Sequence, residues 1–181
     1  MGRLHHQPEA DGIVPGAGTQ VDAVRAAVSD APEVIVGKPY RPLMDAALAR
    51  SGAQRPVFVG DRIDTDIMGA HAAGLDSFMV LTGASGVGDL LSAPVHGRPT
   101  AIGWNVMSLF HPARVATVEE GVTRCGNAHV RTDDGGCTVV EGPTDSVEEQ
   151  LDALWALAVH QWGGGGEVGP EVRRRFTLLP A

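Results

Sequence analysis

The chemistry in this chain gathers in one stretch, Val57-Phe58-Val59-Gly60-Asp61-Arg62-Ile63-Asp64-Thr65-Asp66. Val57, Phe58 and Val59 form a short apolar run suited to a buried strand, and Gly60 lets the backbone turn where the acids begin. Asp61, Asp64 and Asp66 then stand at the C-terminal end of a strand, which is where ligands bind in an open α/β sheet. Carboxylates gathered there without matching bases call for a cation. Mg²⁺ suits them, being a hard ion held by one or two carboxylates together with a substrate phosphate. The same residues also suit a plain loop, with Asp61 and Asp64 solvated and Asp66 helping to cap the helix that begins near Thr65. The stretch alone leaves both readings open.

The elements that would position these acids follow from the apolar pattern. Pro15-Gly16-Ala17-Gly18-Thr19 is a turn leading into a helix with Val21, Val24 and Val28 on one face, and no strand signal precedes it. Val34-Ile35-Val36 reads as a strand ending at Gly37-Lys38-Pro39, and Pro42 suits the first turn of a helix carrying Leu43, Met44, Ala47 and Leu48. After the central strand come a helix from Thr65 to Ala73 stopped by Gly74, a strand at Phe78-Met79-Val80-Leu81, and another at Thr100-Ala101-Ile102-Gly103. A short helix with Val106, Leu109 and Phe110 follows the last strand. Strands alternating with helices imply right-handed crossovers and a parallel sheet, hence an α/β doubly wound, Rossmann-like architecture.

Beyond Pro99 the pattern changes. Ala128-His129-Val130-Arg131-Thr132 and Cys137-Thr138-Val139-Val140 flank Asp133-Asp134-Gly135-Gly136, a β-hairpin signal. Ser146 and Glu149 have the form of a capping box opening a helix whose Val147, Leu151, Leu154, Trp155, Ala158 and Trp162 make one apolar stripe. The two tryptophans suit core anchors better than a ligand cage. Gly163-Gly164-Gly165-Gly166 ends that helix, and the remainder reads as a loose tail.

Composition narrows the function classes. A length of 181 residues with 43% hydrophobic residues fits one ordinary soluble domain, and mean hydropathy is close to zero. The net charge of −8 argues against nucleic acid, and Arg173-Arg174-Arg175 suits a solvated tail. Cys125 and Cys137 form no metal knuckle or redox pair. Residues 1–12 hold no apolar leader core and no run is of transmembrane length, so cytoplasmic location without a membrane partner is expected. Thr82-Gly83-Ala84-Ser85-Gly86-Val87-Gly88 has the spacing G-x-x-G-x-G, not the dinucleotide fingerprint, and suits a loop with a helix start. The seven histidines show no metal-ligand spacing, and no G-x-S-x-G elbow is present.

Taken together, Val36-Gly37-Lys38-Pro39, Gly60-Asp61-Arg62-Ile63-Asp64-Thr65-Asp66-Ile67, Ala70-His71-Ala72-Ala73-Gly74 and Val80-Leu81-Thr82-Gly83 resemble the C-terminal part of a haloacid-dehalogenase-superfamily phosphatase. The resemblance is to the branch with a large α/β cap, the 4-nitrophenylphosphatase and phosphoglycolate phosphatase relatives. Residues 13–110 carry it, with Pro15-Gly16-Ala17-Gly18 resembling the return from cap to core, and residues 111–160 match some bacterial members more loosely. It favours the metal-site reading of the acids. It implies that Lys38 is catalytic and holds the phosphoryl oxygens, that Asp61 ligates Mg²⁺, and that Asp66 belongs to the same metal site as the acid that orients it. Phosphoryl transfer depends on positioning and on neutralising charge, which an ammonium and a divalent cation supply.

The nucleophile's D-x-D motif after an N-terminal strand is not found. Asp64-Thr65-Asp66 has the spelling but lies inside the metal-site motif, and Asp133-Asp134 lies in the hairpin turn. The expectation is therefore the back half of an enzyme, inactive alone, with an incomplete parallel sheet plus a C-terminal hairpin and helix. Residues 1–12 would be unstructured or a cap remnant, 13–110 the core part, 111–162 an extension packed on it, and 163–181 a flexible tail. A phosphorylated small molecule is the expected partner if the missing half is supplied, and the unpaired edge of the central strand should favour self-association. The alternative is a non-catalytic α/β remnant that binds a partner, an anion or a metal.

Overall fold

The computed structural model of the chain describes residues 6–9, 12–28 and 34–180. Its centre is a three-stranded parallel sheet of β3 (Val57–Gly60), β4 (Asp76–Val80) and β5 (Ala101–Gly103), in that spatial order. Val59 pairs with Phe78, and Met79 with Ile102. Because the strands are parallel, their C-terminal ends lie together along one border, with β3 at the outer edge.

The connections are helical. A π-helical turn (Ile63–Ile67) runs into the short helix α3 (Met68–Ala72), which closes at Gly74 with φ +71°. The reading of one helix from Thr65 to Ala73 is thus corrected: the start is two residues earlier and wider-wound, with both Asp66 N and Ile67 N donating to the Arg62 carbonyl. Helix α2 (Arg41–Ser51) carries Pro42 in its first turn as expected, and α4 (Val87–Leu91) follows the glycine-rich loop after β4.

Two expectations near the N-terminus change. A hairpin of β1 (His6–Glu9) and β2 (Gly12–Pro15) precedes α1 (Ala17–Ala27), so a strand does lead into the Pro15 turn. Its pairing comes from the hairpin partner, and β2 has no long β-branched run to announce it. Residues 34–36, expected as a strand, form no strand pairing among the described residues: the Val36 carbonyl accepts from Leu43 N at the start of α2 instead. A β-branched run favours extended backbone, whereas a strand also needs a neighbour.

The C-terminal region is larger than a hairpin. Strands β6 (Thr117–Glu119), β7 (Val122–Cys125), β8 (Ala128–Thr132) and β9 (Thr138–Glu141) form an antiparallel meander. Its first turn, Glu120-Gly121, has both φ angles positive, the twist that two-residue hairpins favour. Helix α5 (Val147–Trp162) starts at Ser146 with the expected capping box. It has more than a single buried stripe, however: residues 150–151 and 153–158 are all buried, because α5 lies between β7–β9 on one side and α4 and β5 on the other. One continuous core results, joining Ile67, Met79 and Leu90 to Val130, Leu154 and Leu157.

Nor is the segment after Gly166 a loose tail. Glu167 bridges to Cys137 beside β9, α6 (Pro170–Arg173) follows, and Val172, Phe176 and Leu179 enter the core. Their four- and three-residue spacing is an amphipathic signal that the preceding glycines obscure. Arg175 is tied down as well, donating to the Val140 carbonyl at 2.9 Å, while Arg173 and Arg174 are exposed. Among the described residues, no helix is long and apolar enough to cross a membrane.

Candidate functional site

β3 delivers the chain to Asp61 at the border where the parallel strands end, and the π-helical turn carries Asp66 back over that strand end. Asp66 Oδ2 accepts from the amides of Asp61 at 3.3 Å and Arg62 at 3.2 Å. The return is close enough to require glycine, since a Cβ on Gly60 would lie 2.3 Å from the Asp66 Cβ. Asp66 is buried, with a side chain only 4% exposed, so its charge needs partners. The strongest is Lys38, whose Nζ donates to Oδ1 at 2.5 Å while its side chain stays 44% exposed.

Lys38 reaches this position from the turn before α2. The turn is fixed by Tyr40 N donating to the Gly37 carbonyl, and the Lys38–Pro39 peptide is cis. It lies against α3 at Gly69, where a Cβ would be 3.2 Å from Pro39 Cα and 2.7 Å from Met44 Cε. Residues 28 positions apart in sequence are therefore locked by backbone packing as well as by charge.

The Asp61 side chain turns toward the loop between β4 and α4. Its Oδ2 accepts from Ala84 N at 2.9 Å, its carbonyl accepts from Ser85 N at 3.0 Å, and Ser85 Oγ accepts from Ile63 N at 3.2 Å. A Cβ on Gly83 would fall 2.1 Å from Asp61 Oδ2. Asp64 points outward and pairs with Arg62 through bonds of 3.0 and 2.7 Å. The hydrogen bonds to Asp64 push the Arg62 guanidinium above its ordinary range, opposed by burial and assisted by the charges of Asp64, Asp61 and Asp66. An open cleft of about 510 Å³ beside them is lined by Arg62, Ile63, Asp64, Ser85 and Asp89 among others.

The sequence-derived residues Lys38, Asp61 and Asp66 thus come together, while Asp133 is spent on a turn, accepting from Gly135 N and Cys137 N. Asp66 has both oxygens engaged by protein donors. For Asp61, the side-chain hydrogen bond among the described residues engages Oδ2, which leaves Oδ1 as a hard oxygen suited to a cation. Among the described residues no three His, Cys, Asp or Glu side chains converge as a closed metal cage. The donor chemistry fits Mg²⁺, which Asp61 would hold together with water and a substrate phosphate. Sequence reading missed the contribution of Ala84 and Ser85, because a backbone amide leaves no mark in residue type; Gly83 directly after a strand was the available sign.

Residues 35–107 match the family model described as HAD-hydrolase-like. The fold, the site and this match agree: the chain is similar to the haloacid-dehalogenase-like hydrolases and corresponds to the C-terminal part of its relatives. It is 38% identical over 190 aligned residues to the D-glycerol 3-phosphate phosphatase of Mycobacterium tuberculosis, an alignment covering 95% of this chain and 52% of that protein. The crystal structure of a glycerol phosphate phosphatase from the same organism, in complex with magnesium, superposes with a TM-score of 0.67 at 30% identity, over 98% of this chain and 54% of that one. A 4-nitrophenylphosphatase from Thermotoga maritima gives a TM-score of 0.50 at 32% identity over 58% of this chain and 40% of its own. The chain therefore spans about half the length of these two mycobacterial relatives.

Proposed function

We propose that this chain carries the lysine and metal-binding part of a Mg²⁺-dependent phosphate-monoester phosphatase, whose attacking aspartate comes from outside these 181 residues. One observation carries the reading: the Lys38 ammonium is bonded to one oxygen of Asp66 while the other oxygen holds the Asp61 amide, so cation, orienting acid and metal-facing acid form one rigid unit. The magnesium complex of the M. tuberculosis relative supports the choice of ion.

In this role Lys38 binds a phosphoryl oxygen and offsets charge on the phosphate. Asp66 positions Lys38 and the strand end, and Asp61 would hold Mg²⁺. When bound, Mg²⁺ supplies charge neutralisation and orientation of the phosphate. The partner is a phosphorylated small molecule; the net charge of −8 disfavours nucleic acid, and no membrane is involved. Two unpaired cysteines, Cys125 buried and Cys137 exposed, suit a reducing cytoplasm. The free edge of β3, with Val57 exposed, favours self-association of the chain alone.

The chain alone should not hydrolyse 4-nitrophenyl phosphate with Mg²⁺. Completed by the D-x-D-bearing half of the M. tuberculosis relative it should, and Asp61→Asn or Lys38→Ala should lower kcat/KM of that hybrid by at least about 10²-fold. A hybrid that keeps its turnover with Asp61→Asn would sink the proposal.

A further inference from the structure

The C-terminal residues end on the loop that holds Asp61. The Pro180 carbonyl accepts from Val87 N at 2.9 Å, at the first residue of α4. That amide is one of the donors a helix start leaves without an internal partner, and Gly86 before it has no side chain to cap it. Two and three residues earlier, Ser85 N and Ala84 N hold the backbone and carboxylate of Asp61. The strap is itself anchored. Gln150, the one polar side chain among the residues that α5 buries, donates from Nε2 to the Thr144 carbonyl at 2.9 Å and to Thr177 Oγ1 at 3.4 Å, and its Oε1 accepts from Leu178 N at 3.0 Å. A fully buried amide side chain costs free energy unless its groups are paired, and two of the three partners here lie in the strap. Phe176 and Leu179 fill the core shared with Val87 and Leu90.

We propose that residues 176–180 are a positioning strap: anchored by Gln150 and the two apolar side chains, they fix the start of α4 through Val87 and thereby the Ala84 and Ser85 amides that aim the Asp61 carboxylate. The C-terminal extension is then part of the metal site's support, although no residue of it touches that site. The link to a metal rests on the proposed function; the mechanical link from strap to loop does not.

Two variants of the full chain test it: a stop after Thr177, and Gln150→Leu, which keeps the volume and removes the strap's hydrogen bonds. Amide hydrogen exchange by NMR should show Ala84, Ser85 and Val87 exchanging at least tenfold faster in both, with Val130 and Leu154 as core controls changing less than twofold. Titration with MgCl₂, followed at the Ala84 amide, should give at least fivefold weaker binding in both variants. Unchanged exchange at Ala84 and Ser85 overturns the strap, and so does uniform acceleration that includes Val130 and Leu154, which would make it a general stabiliser only. If Mg²⁺ perturbs neither parent nor variants while the exchange pattern holds, the strap stands and the metal reading falls.

Discussion

The two sheets of this chain are finished to different degrees. The antiparallel meander β6–β9 has α5 packed across it, and its β9 border is bridged by Glu167. The parallel sheet β3–β5 shares that same helix through β5 and α4, yet its β3 border has no partner among the described residues, and Val57 there is 48% exposed. The chemistry lies at the unfinished side: Lys38, Asp61 and Asp66 all belong to the β3 end. A closed core and an open site can therefore coexist in one chain. The closed region supplies stability that the open sheet lacks, and the strap transmits it to the Asp61 loop.

This contrast predicts a graded set of mutational effects. Leu154→Ala, at the centre of the shared core, should cost about 2–5 kcal/mol in denaturant unfolding, enough to threaten folding. Gly60→Ala forces a side chain onto Asp66 and should cost about 1–3 kcal/mol while displacing the Lys38 amine, read as loss of its NMR contact with Asp66. Ser146→Ala removes the α5 cap and should cost about 1 kcal/mol. Val57→Lys on the open border should change unfolding free energy by less than about 0.5 kcal/mol. Its effect should appear instead in sedimentation, as reduced self-association. Equal destabilisation by Leu154→Ala and Val57→Lys would erase the distinction between the regions.

The closed region should also set the pH limits of stability. Burial lowers the pKa of His160, whose ring nitrogens face Thr123 and Thr132. Its contribution is complete above the unfolded value of 6.5 and is lost as pH falls through the depressed folded value. Burial first, then the charge of Asp152, raises Cys125 from 9.0 to about 11, against a lowering by Arg114. That contribution is present below pH 9.0 and is lost as pH rises toward about 11. Unfolding midpoints measured against pH should therefore lose the acid-side slope in His160→Gln and the alkaline-side slope in Cys125→Ala.

Legibility in sequence followed how local each signal was. The strand Val57–Gly60, the capping box at Ser146 and the Asp61–Asp66 motif announce themselves within a few residues. Of the meander the sequence signals only the last hairpin, because Thr117–Glu119 and Val122–Cys125 are short; the two-residue Gly126-Asn127 link between Cys125 and Ala128 is a turn signal that extends it. At residues 34–36 a β-branched apolar run does not reveal whether a neighbouring strand exists. In the site, Lys38 and the acids were legible through side-chain type, whereas the Ala84 and Ser85 amides were not, since every residue but proline carries one.

The most direct test of the account is a titration of the ¹⁵N-labelled chain with MgCl₂ and inorganic phosphate, run in parallel on Asp61→Asn. Shifts confined to Lys38, residues 60–67 and residues 82–87, and abolished in Asp61→Asn, are the predicted result. Shifts that persist in Asp61→Asn, or none in the parent chain, would contradict it.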